Sequence, residues 1–168
     1  MSTVAIDLRP AQASDAPSIA EVHDEAWRLA YRGVIPGREL ERMITRRGAA
    51  WWESAIRRGS RIVLLTVAGS VAGYGSFGRN RAPAIGVGGE IYELYIKPEY
   101  QGLGFGKRLF VACRNALDER NLPGLAVWAL TDNHSACAFY RALGGVAVAR
   151  GSENFGTKNL EKLAFAWA

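Results

Sequence analysis

The segment that most constrains the fold of this chain runs from Glu90 to Phe110, where a β-rich run passes through a glycine-rich turn into a helical pattern. Pro98 ends the β-rich run, and Gly102, Gly104 and Gly106 occupy the turn. Glycines let a turn expose backbone N–H groups without side-chain obstruction, and the following helix adds the positive end of its dipole. This order of elements predicts an anion cradle that suits a diphosphate.

Two familiar phosphate-binding motifs do not describe this turn. The dinucleotide fingerprint GxGxxG is not met, because Leu109 stands where its third glycine is required. The GK[ST] ending of a P-loop is missing from the sequence as well. The glycines could also serve only as a tight connection between strand and helix, and that interpretation stays open here.

Hydrophobic periodicity predicts alternating strands and helices along a chain of 168 residues, the length of one ordinary domain. The predicted strands span residues 4–9, 62–67, 71–77, 90–96, 125–130, 146–150 and 160–167. The predicted helices span about 14–31, 38–57 with an interruption near Gly48, 106–121 and 133–143. Hairpins combined with at least one strand-helix-strand crossover indicate one mixed sheet flanked by helices.

The net charge of the chain favours a phosphate-rich ligand. Lysine and arginine total 21 against 16 acidic residues, a formal charge of +5, which suits nucleic acid, an anionic membrane or a nucleotide cofactor. Aromatic and basic residues do not combine into a nucleic-acid recognition module, so we expect no nucleic-acid partner. Because the chain has neither an apolar signal core nor a run near 18 apolar residues, we expect a cytoplasmic protein without a membrane partner.

The usual metal-ligating residues are too few and too scattered to predict a metal site. Cys113 and Cys137 fall in separate predicted helices, so they indicate neither a disulfide framework nor a CxxC spacing. His23 and His134 stand alone in the sequence. We expect both histidines to be surface residues rather than metal ligands or catalysts.

Two motifs of this chain resemble the signatures of the GNAT acetyltransferase superfamily. Residues 101–106, QGLGFG, are similar to its acetyl-CoA motif Q/R-x-x-G-x-G/A, and residues 94–98, LYIKP, resemble its L-x-V-x-P strand end. Residues 133–145, NHSACAFYRALGG, resemble its second signature, N-x-x-A-x-x-F-Y-x-x-x-G-F. Gly145 and Val146 stand where Gly-Phe is usual, which we interpret as a packing change. These motifs cover about residues 90–145, and the order of elements agrees over nearly the whole chain.

The resemblance implies one acetyltransferase domain over residues 1–168, an α/β (α+β mixed) fold with a central mixed, mostly antiparallel sheet of about seven strands and about four helices. It implies an enzyme that moves the acetyl group of acetyl-CoA, its co-substrate, onto a primary amine by direct attack without a metal. The acceptor would be a small-molecule amine or a protein N-terminus, and a homodimer is a further expectation. An acyl-CoA-binding sensor without turnover is the alternative.

The cofactor contacts of the family, carried over by position, fall on three short stretches. Backbone amides between Leu103 and Lys107 would hold the CoA diphosphate, and the backbone around Leu94 and Ile96 would bind the pantetheine arm. The full set assigned by position is Leu94, Tyr95, Ile96, Gln101, Gly102, Leu103, Gly104, Phe105, Gly106, Lys107, Asn133 and Arg141.

Three of these side chains have a more specific expected role. We expect Gln101 to organise the loop rather than to take part in the chemistry. Asn133 begins a short helix, where a capping role alone would explain an asparagine, and the family position also touches pantetheine. Arg141 would neutralise CoA phosphates, although exposed basic residues on helices are usually only solvated.

Acetylation of an amine requires the removal of one proton and the supply of another. A primary amine with a pKa near ~10.4 is mostly protonated at neutral pH, and the departing thiolate gains from an acid. Tyr140 matches the general acid of the family, or else it is an aromatic residue packed on the sheet. Glu90 is the first candidate base and Glu93 the second, on opposite faces of their strand by simple alternation. Water remains a third choice, with both carboxylates in ordinary salt bridges.

The acceptor is expected to approach from the first two predicted helices and the loop at 78–89. Aromatic side chains there would line a pocket or belong to the core: Trp27, Tyr31, Trp51 and Trp52. Arginines in the same region would disfavour a polycationic acceptor such as a polyamine: Arg28, Arg32 and Arg38.

Overall fold

A seven-stranded sheet flanked by five α-helices forms the frame of the protein in the computed structural model, which describes residues 4–168. The strands are β1 (Ile6–Pro10), β2 (Arg61–Val67), β3 (Ser70–Arg79), β4 (Gly89–Ile96), β5 (Leu125–Leu130), β6 (Val146–Phe155) and β7 (Lys158–Trp167). The helices are α1 (Ala16–Tyr31), α2 (Gly37–Arg46), α3 (Ala49–Arg57), α4 (Phe105–Glu119) and α5 (His134–Ala142). The strand order is β1-β2-β3-β4-β5-β7-β6, which confirms the predicted mixed, mostly antiparallel sheet.

Most elements differ from their predicted bounds by one to three residues, and two differ by more. The predicted helix at 38–57 is divided into α2 and α3, because Gly48 between them adopts an extended backbone (φ −72°, ψ −177°) that stops the helical hydrogen bonds. Strand β6 continues five residues beyond its predicted end, to Phe155. Residues 151–154 of this edge strand are polar or glycine and largely exposed, so they carry no hydrophobic alternation to detect.

The sheet opens between β4 and β5. These two strands form the one parallel pair in the described sheet, and their pairing covers residues 89–91 of β4 and 125–127 of β5. Residues 93–96 of β4 pair with β3 on the other side. The second edge of this part of β4 therefore faces an opening rather than a neighbouring strand, and its backbone polar groups are available to a ligand.

Helices cover both faces of the sheet and create two hydrophobic layers. On one face, Trp52 of α3 and Ile19 of α1 pack with Leu64 of β2. On the other, α4 and α5 contribute Cys113 and Cys137 to a cluster with the aromatic residues of β7. Both cysteines are free and buried, as expected for thiols on separate helices. None of the helices described within residues 4–168 is long and apolar enough to span a bilayer.

His23 is fully buried, which corrects its expected place on the surface. Its ring lies between the indoles of Trp27 and Trp52, with centroid distances of 4.6 and 5.8 Å. Neither ring nitrogen has a hydrogen-bond partner within the described part of the chain. Burial, and then the positive charge of Arg47, lower the pKa of His23 to about 3, whereas Asp24 opposes that shift. The imidazole is therefore a neutral core residue of α1.

We expect His23→Leu to remove an acid sensitivity of folding. In the unfolded chain His23 binds a proton near pH ~6.5, whereas the folded protein resists protonation down to about pH 3. Stability is therefore lost as pH falls through this window, by roughly 3 kcal/mol at pH 4. Urea unfolding from pH 8 to pH 4 should show a smaller loss for His23→Leu than for wild type. The exposed His134, changed to Gln, is the matched control, and equal acid slopes for all three proteins would contradict the assignment.

Candidate active site

The opening between β4 and β5 contains a cavity of about 610 Å³, here called the cofactor cleft. It is lined by the end of β4, the glycine turn, the start of α4 and the first two turns of α5. The residues predicted to bind or react that line it are Leu94, Tyr95, Ile96, Gln101, Gly102, Gly104, Phe105, Gly106, Lys107, Asn133 and Tyr140. The tertiary structure thus brings the two sequence motifs to one place.

The glycine turn has the backbone conformation that an anion cradle requires. Gly102 and Gly104 have φ values of +77° and +81°, a region that residues with a Cβ rarely adopt. Gly104 is the N-cap of α4, and no side chain caps this helix end. The first N–H groups of α4 therefore remain available at the positive end of a fifteen-residue helix. The Gln101 amide donates to the backbone oxygen of Ile96 at 3.1 Å, which ties the turn to the end of β4.

Two residues assigned to the cofactor do not line this cleft. The side chain of Leu103 is directed to solvent, and 61% of the residue is exposed. The Arg141 guanidinium lies 5.1 Å from the centre of the Phe165 ring. Arg141 follows Tyr140 on α5, and successive helical side chains diverge by about 100°. The assignments of the Leu103 backbone amide and of Arg141 to the cofactor therefore stay predictions.

Tyr140 lies at the inner wall of the cofactor cleft. Its ring packs on Phe139, Phe165 and Trp167, with centroid distances of 5.3, 5.9 and 6.1 Å. Burial raises the pKa of Tyr140, so its phenol stays protonated. The predicted aromatic packing and a position in the cleft are thus both present. Asn133 accepts a hydrogen bond from the backbone N–H three residues later at 3.2 Å and caps α5.

A bulge in β4 places Glu90 and Glu93 on one face of the sheet, which corrects the expectation of opposite faces. Residues 76 and 77 of β3 pair with Glu93 and Ile91, respectively, so Tyr92 is an extra residue without an opposite partner. One extra residue reverses the alternation of side chains along the strand. Simple counting along the sequence cannot detect such a bulge.

The two carboxylates have different surroundings. Glu90 is 1% exposed and accepts from the backbone N–H of Arg81 at 2.9 Å and from its Nη2 at 2.8 Å. Glu93 accepts from Nη1 of Arg47 and from the Tyr74 hydroxyl at 3.3 Å. Burial, and then the charge of Glu93, raise the pKa of Tyr74, so this phenol remains a donor. Glu90 is enclosed by Arg81, whereas Glu93 lines open space.

A second cavity of about 480 Å³, here called the acceptor cavity, adjoins the cofactor cleft at Tyr95, which lines both. The hydroxyls of Tyr95 and Tyr31 share a hydrogen bond of 2.7 Å at this junction. The aromatic side chains around the acceptor cavity are Trp27, Tyr31, Tyr92, Tyr95, Trp128 and Phe155. Those of Tyr92, Trp128 and Phe155 were not predicted, because they come from strands that only the sheet order brings together.

A third cavity, of about 340 Å³, continues from the acceptor cavity on the side of α3. Trp51 and Trp52 line this third cavity rather than the acceptor cavity. Arg28 was expected near the acceptor, but it pairs with Asp24 at 2.7 Å and lines a separate pocket near α2. The cationic residues that do line the acceptor cavity are Arg46, Arg47, Arg81 and Lys162.

Residues 18–145 match the family model described as the acetyltransferase (GNAT) family. The chain belongs to this family. It is 29% identical over 162 residues to the uncharacterized N-acetyltransferase YuaI of Bacillus subtilis (strain 168), a match covering 96% of this chain and 92% of YuaI. As a GNAT acetyltransferase, it is an acyltransferase that uses acetyl-CoA as co-substrate.

Solved GNAT structures have the same fold. The PaiA N-acetyltransferase of Thermoplasma acidophilum, in complex with coenzyme A, superimposes with a TM-score of 0.77 at 18% identity, covering 97% of this chain and 99% of that one. YncA of Salmonella typhimurium, solved with its cofactor acetyl-CoA, gives a TM-score of 0.69 at 18% identity, covering 97% of this chain and 93% of that one. At this level of identity the comparison establishes the shared fold.

The residues of the cofactor cleft fit acetyl-CoA. A Cβ added at Gly102 or Gly104 would meet no atom within 4 Å, so the turn is not obstructed on that side. The uncapped start of α4 supplies N–H donors, and the open edge of β4 supplies backbone groups for an amide-containing arm. Within residues 4–168, no group of three or more His, Cys, Asp or Glu side chains is arranged to hold a metal ion.

Proposed function

We propose that the protein transfers the acetyl group of acetyl-CoA to a primary amine that enters through the acceptor cavity. The observation that carries this proposal is the junction of the two cavities at Tyr95, beside β4. A diphosphate on the first amides of α4 and an extended arm along β4 would direct the acyl end towards this junction. A cytoplasmic location and a homodimer stay predictions.

Tyr140 is proposed as the acid of the reaction. Its Oη holds a proton in a buried, aromatic surrounding that disfavours the phenolate, which is reflected in its raised pKa. When the sulfur leaves with a developing negative charge, proton donation at Oη stabilises that charge. Because Tyr140 lines the cofactor cleft, it is on the side of the leaving group rather than of the amine.

Glu93 is proposed as the base, directly or through water, in preference to Glu90. Glu90 lines neither the acceptor cavity nor the third cavity, and only 1% of this residue is exposed. Glu93 lines the acceptor cavity two residues before Tyr95, so its carboxylate faces the space where the amine must lose a proton. Glu90 is better suited to a positioning role, holding Arg81.

We expect the wild-type protein to release free thiol from acetyl-CoA only when a primary amine is added. In the Glu93→Gln variant, kcat should fall by about 10²- to 10⁴-fold because the base is lost. In this variant the limb of the pH–rate profile that reports deprotonation of the enzyme base should disappear. The remaining pH dependence should reflect only the titration of the amine substrate. Affinity for acetyl-CoA should be retained, because Glu93 does not line the cofactor cleft. Thiol release with a free-thiol reagent and calorimetric titration with CoA would measure the two effects.

Glu90→Gln is the matched comparison, and it should retain the enzyme-base limb. Loss of that limb in Glu90→Gln alone would reassign the base to Glu90, and its retention in both variants would indicate water. Binding of acetyl-CoA without thiol release on any amine of the panel would indicate a sensor domain instead of an enzyme.

A further inference from the structure

Arg47 and Arg81, here called the arginine pair, lie where the acceptor cavity meets the third cavity, and both residues line both spaces. The Arg47 guanidinium is paired with Glu93 and lies 4.4 Å from the centre of the Trp51 ring. Arg81 is paired with Glu90 at 2.8 Å and lies 4.1 Å from the centre of the Tyr92 ring. One carboxylate and one aromatic face thus hold each guanidinium in place.

Each member of the arginine pair retains unused hydrogen-bond donors. A guanidinium has five N–H groups. Among the described residues, Arg47 donates through Nη1 alone, and the Arg81 side chain donates through Nε and Nη2. The Arg47 side chain is 29% exposed, so it is partly desolvated and still reachable from the cavity. Fixed, partly desolvated arginines with free donors suit a carboxylate or another planar anion.

The other charges of the acceptor cavity favour an anion over a second cation. Each carboxylate that lines it faces a cationic side chain: Glu39 faces Arg42 at 3.1 Å, Glu153 faces Lys162 at 3.8 Å, and Glu93 faces Arg47. A second ammonium group on the acceptor would therefore have to compete with an existing ion pair. An anionic group meets the arginine pair and the additional charge of Arg46.

We propose that the acceptor is a primary amine carrying a carboxylate on an aromatic or apolar body, and that the arginine pair binds this carboxylate. This inference rests on the proposed acetyl transfer at Tyr95. Tyr92, beside the pair, and Tyr95 lie three residues apart on β4, and because Tyr92 is the extra residue of the bulge they are separated by roughly 8 Å along the strand. The amine and the carboxylate are therefore separated by a spacer rather than attached to one carbon, and the aromatic walls contact that spacer.

Three amines built on one scaffold test this proposal. They are 2-phenylethylamine itself and its derivatives with a carboxylate or an aminomethyl group in the para position. We expect kcat/KM for the carboxylate to exceed that of the unsubstituted amine by about 10- to 100-fold, as for a hydrogen bond between charged groups, and the diamine to be the poorest. Arg47→Gln should lower the ratio of kcat/KM for the carboxylate probe to kcat/KM for the unsubstituted amine by a similar factor, because the loss of its ion pair with the base Glu93 affects both probes alike. Calorimetric titration of the three amines into the CoA-loaded protein provides a readout independent of turnover.

The role of Arg81 is tested with a double variant rather than with a single substitution. Removing Arg81 alone would leave Glu90 buried and unpaired, which is strongly destabilising. Arg81→Gln combined with Glu90→Gln removes both charges and should lower affinity for the carboxylate probe while CoA affinity is retained. Arg57→Gln is the control, because Arg57 is an exposed arginine of α3 paired only with Glu53 among the described residues.

The outcomes separate this inference from the proposed function. Equal acetylation of all three probes, or a preference that survives both arginine variants, would overturn the carboxylate assignment and leave acetyl transfer in place. Selective, arginine-dependent binding of the carboxylate probe without acetylation of any amine would support the anion site while contradicting the proposed transfer.

Discussion

Gly104→Glu is expected to abolish measurable binding of coenzyme A while leaving the fold intact. The glutamate would place a carboxylate at the uncapped N-terminus of α4, where the first amides of that helix are proposed to hold the diphosphate. At 4 Å, two like charges at a protein surface repel by about 4 kcal/mol, which corresponds to roughly a 10³-fold loss of affinity. The added carboxylate would also accept hydrogen bonds from the backbone N–H groups that the phosphates need.

Two further variants separate charge from backbone strain at Gly104. Gly104 has a φ of +81°, where a residue with a Cβ costs about 1–2 kcal/mol. Gly104→Ala introduces that strain without the charge and should keep most of the affinity. Gly69→Glu introduces both in the β2–β3 turn, where φ is +84° and a Cβ would meet no atom within 4 Å. Calorimetry that found wild-type CoA affinity in Gly104→Glu would overturn the cradle.

Tyr140→Phe is expected to lower kcat by about 10²- to 10⁴-fold with little change in KM for acetyl-CoA, because the phenol acts on the leaving group rather than in binding. The ring packing against Phe139 and Phe165 survives in the variant, so its stability should stay near that of wild type. Steady-state kinetics with a free-thiol reagent measure the effect.

Tyr100→Phe is the matched control for the loss of a phenol, because Tyr100 lines the same cofactor cleft. It should keep a kcat close to that of wild type. A wild-type rate in Tyr140→Phe would remove the acid role and leave Tyr140 as a packing residue. Equal losses in both variants would point to a general effect on the cleft instead.

The predictions that succeeded concern contiguous residues, and those that failed concern contacts between distant ones. Strand β5 was predicted with its observed bounds, since its apolar run ends at clear turn residues. His23 was placed on the surface because a lone histidine carries no local signal of burial. Its neighbour Trp52 comes from α3, twenty-nine positions later in the sequence. The opposite-face assignment of Glu90 and Glu93 failed at a bulge, which depends on the pairing with β3.

The sequence by itself determined the cofactor half of this protein. A strand, a glycine turn and the start of a helix are contiguous between Glu90 and Phe110, so local backbone preferences suffice to specify the turn that we propose to hold the diphosphate. Only the tertiary structure decided the acceptor half. Arg47 meets Glu93 across forty-six positions, and the bulge brings Glu93 to the same face as Glu90 and Tyr92, the two residues that hold Arg81. Strand register and helix packing set these contacts, and neither is encoded in any short stretch of residues.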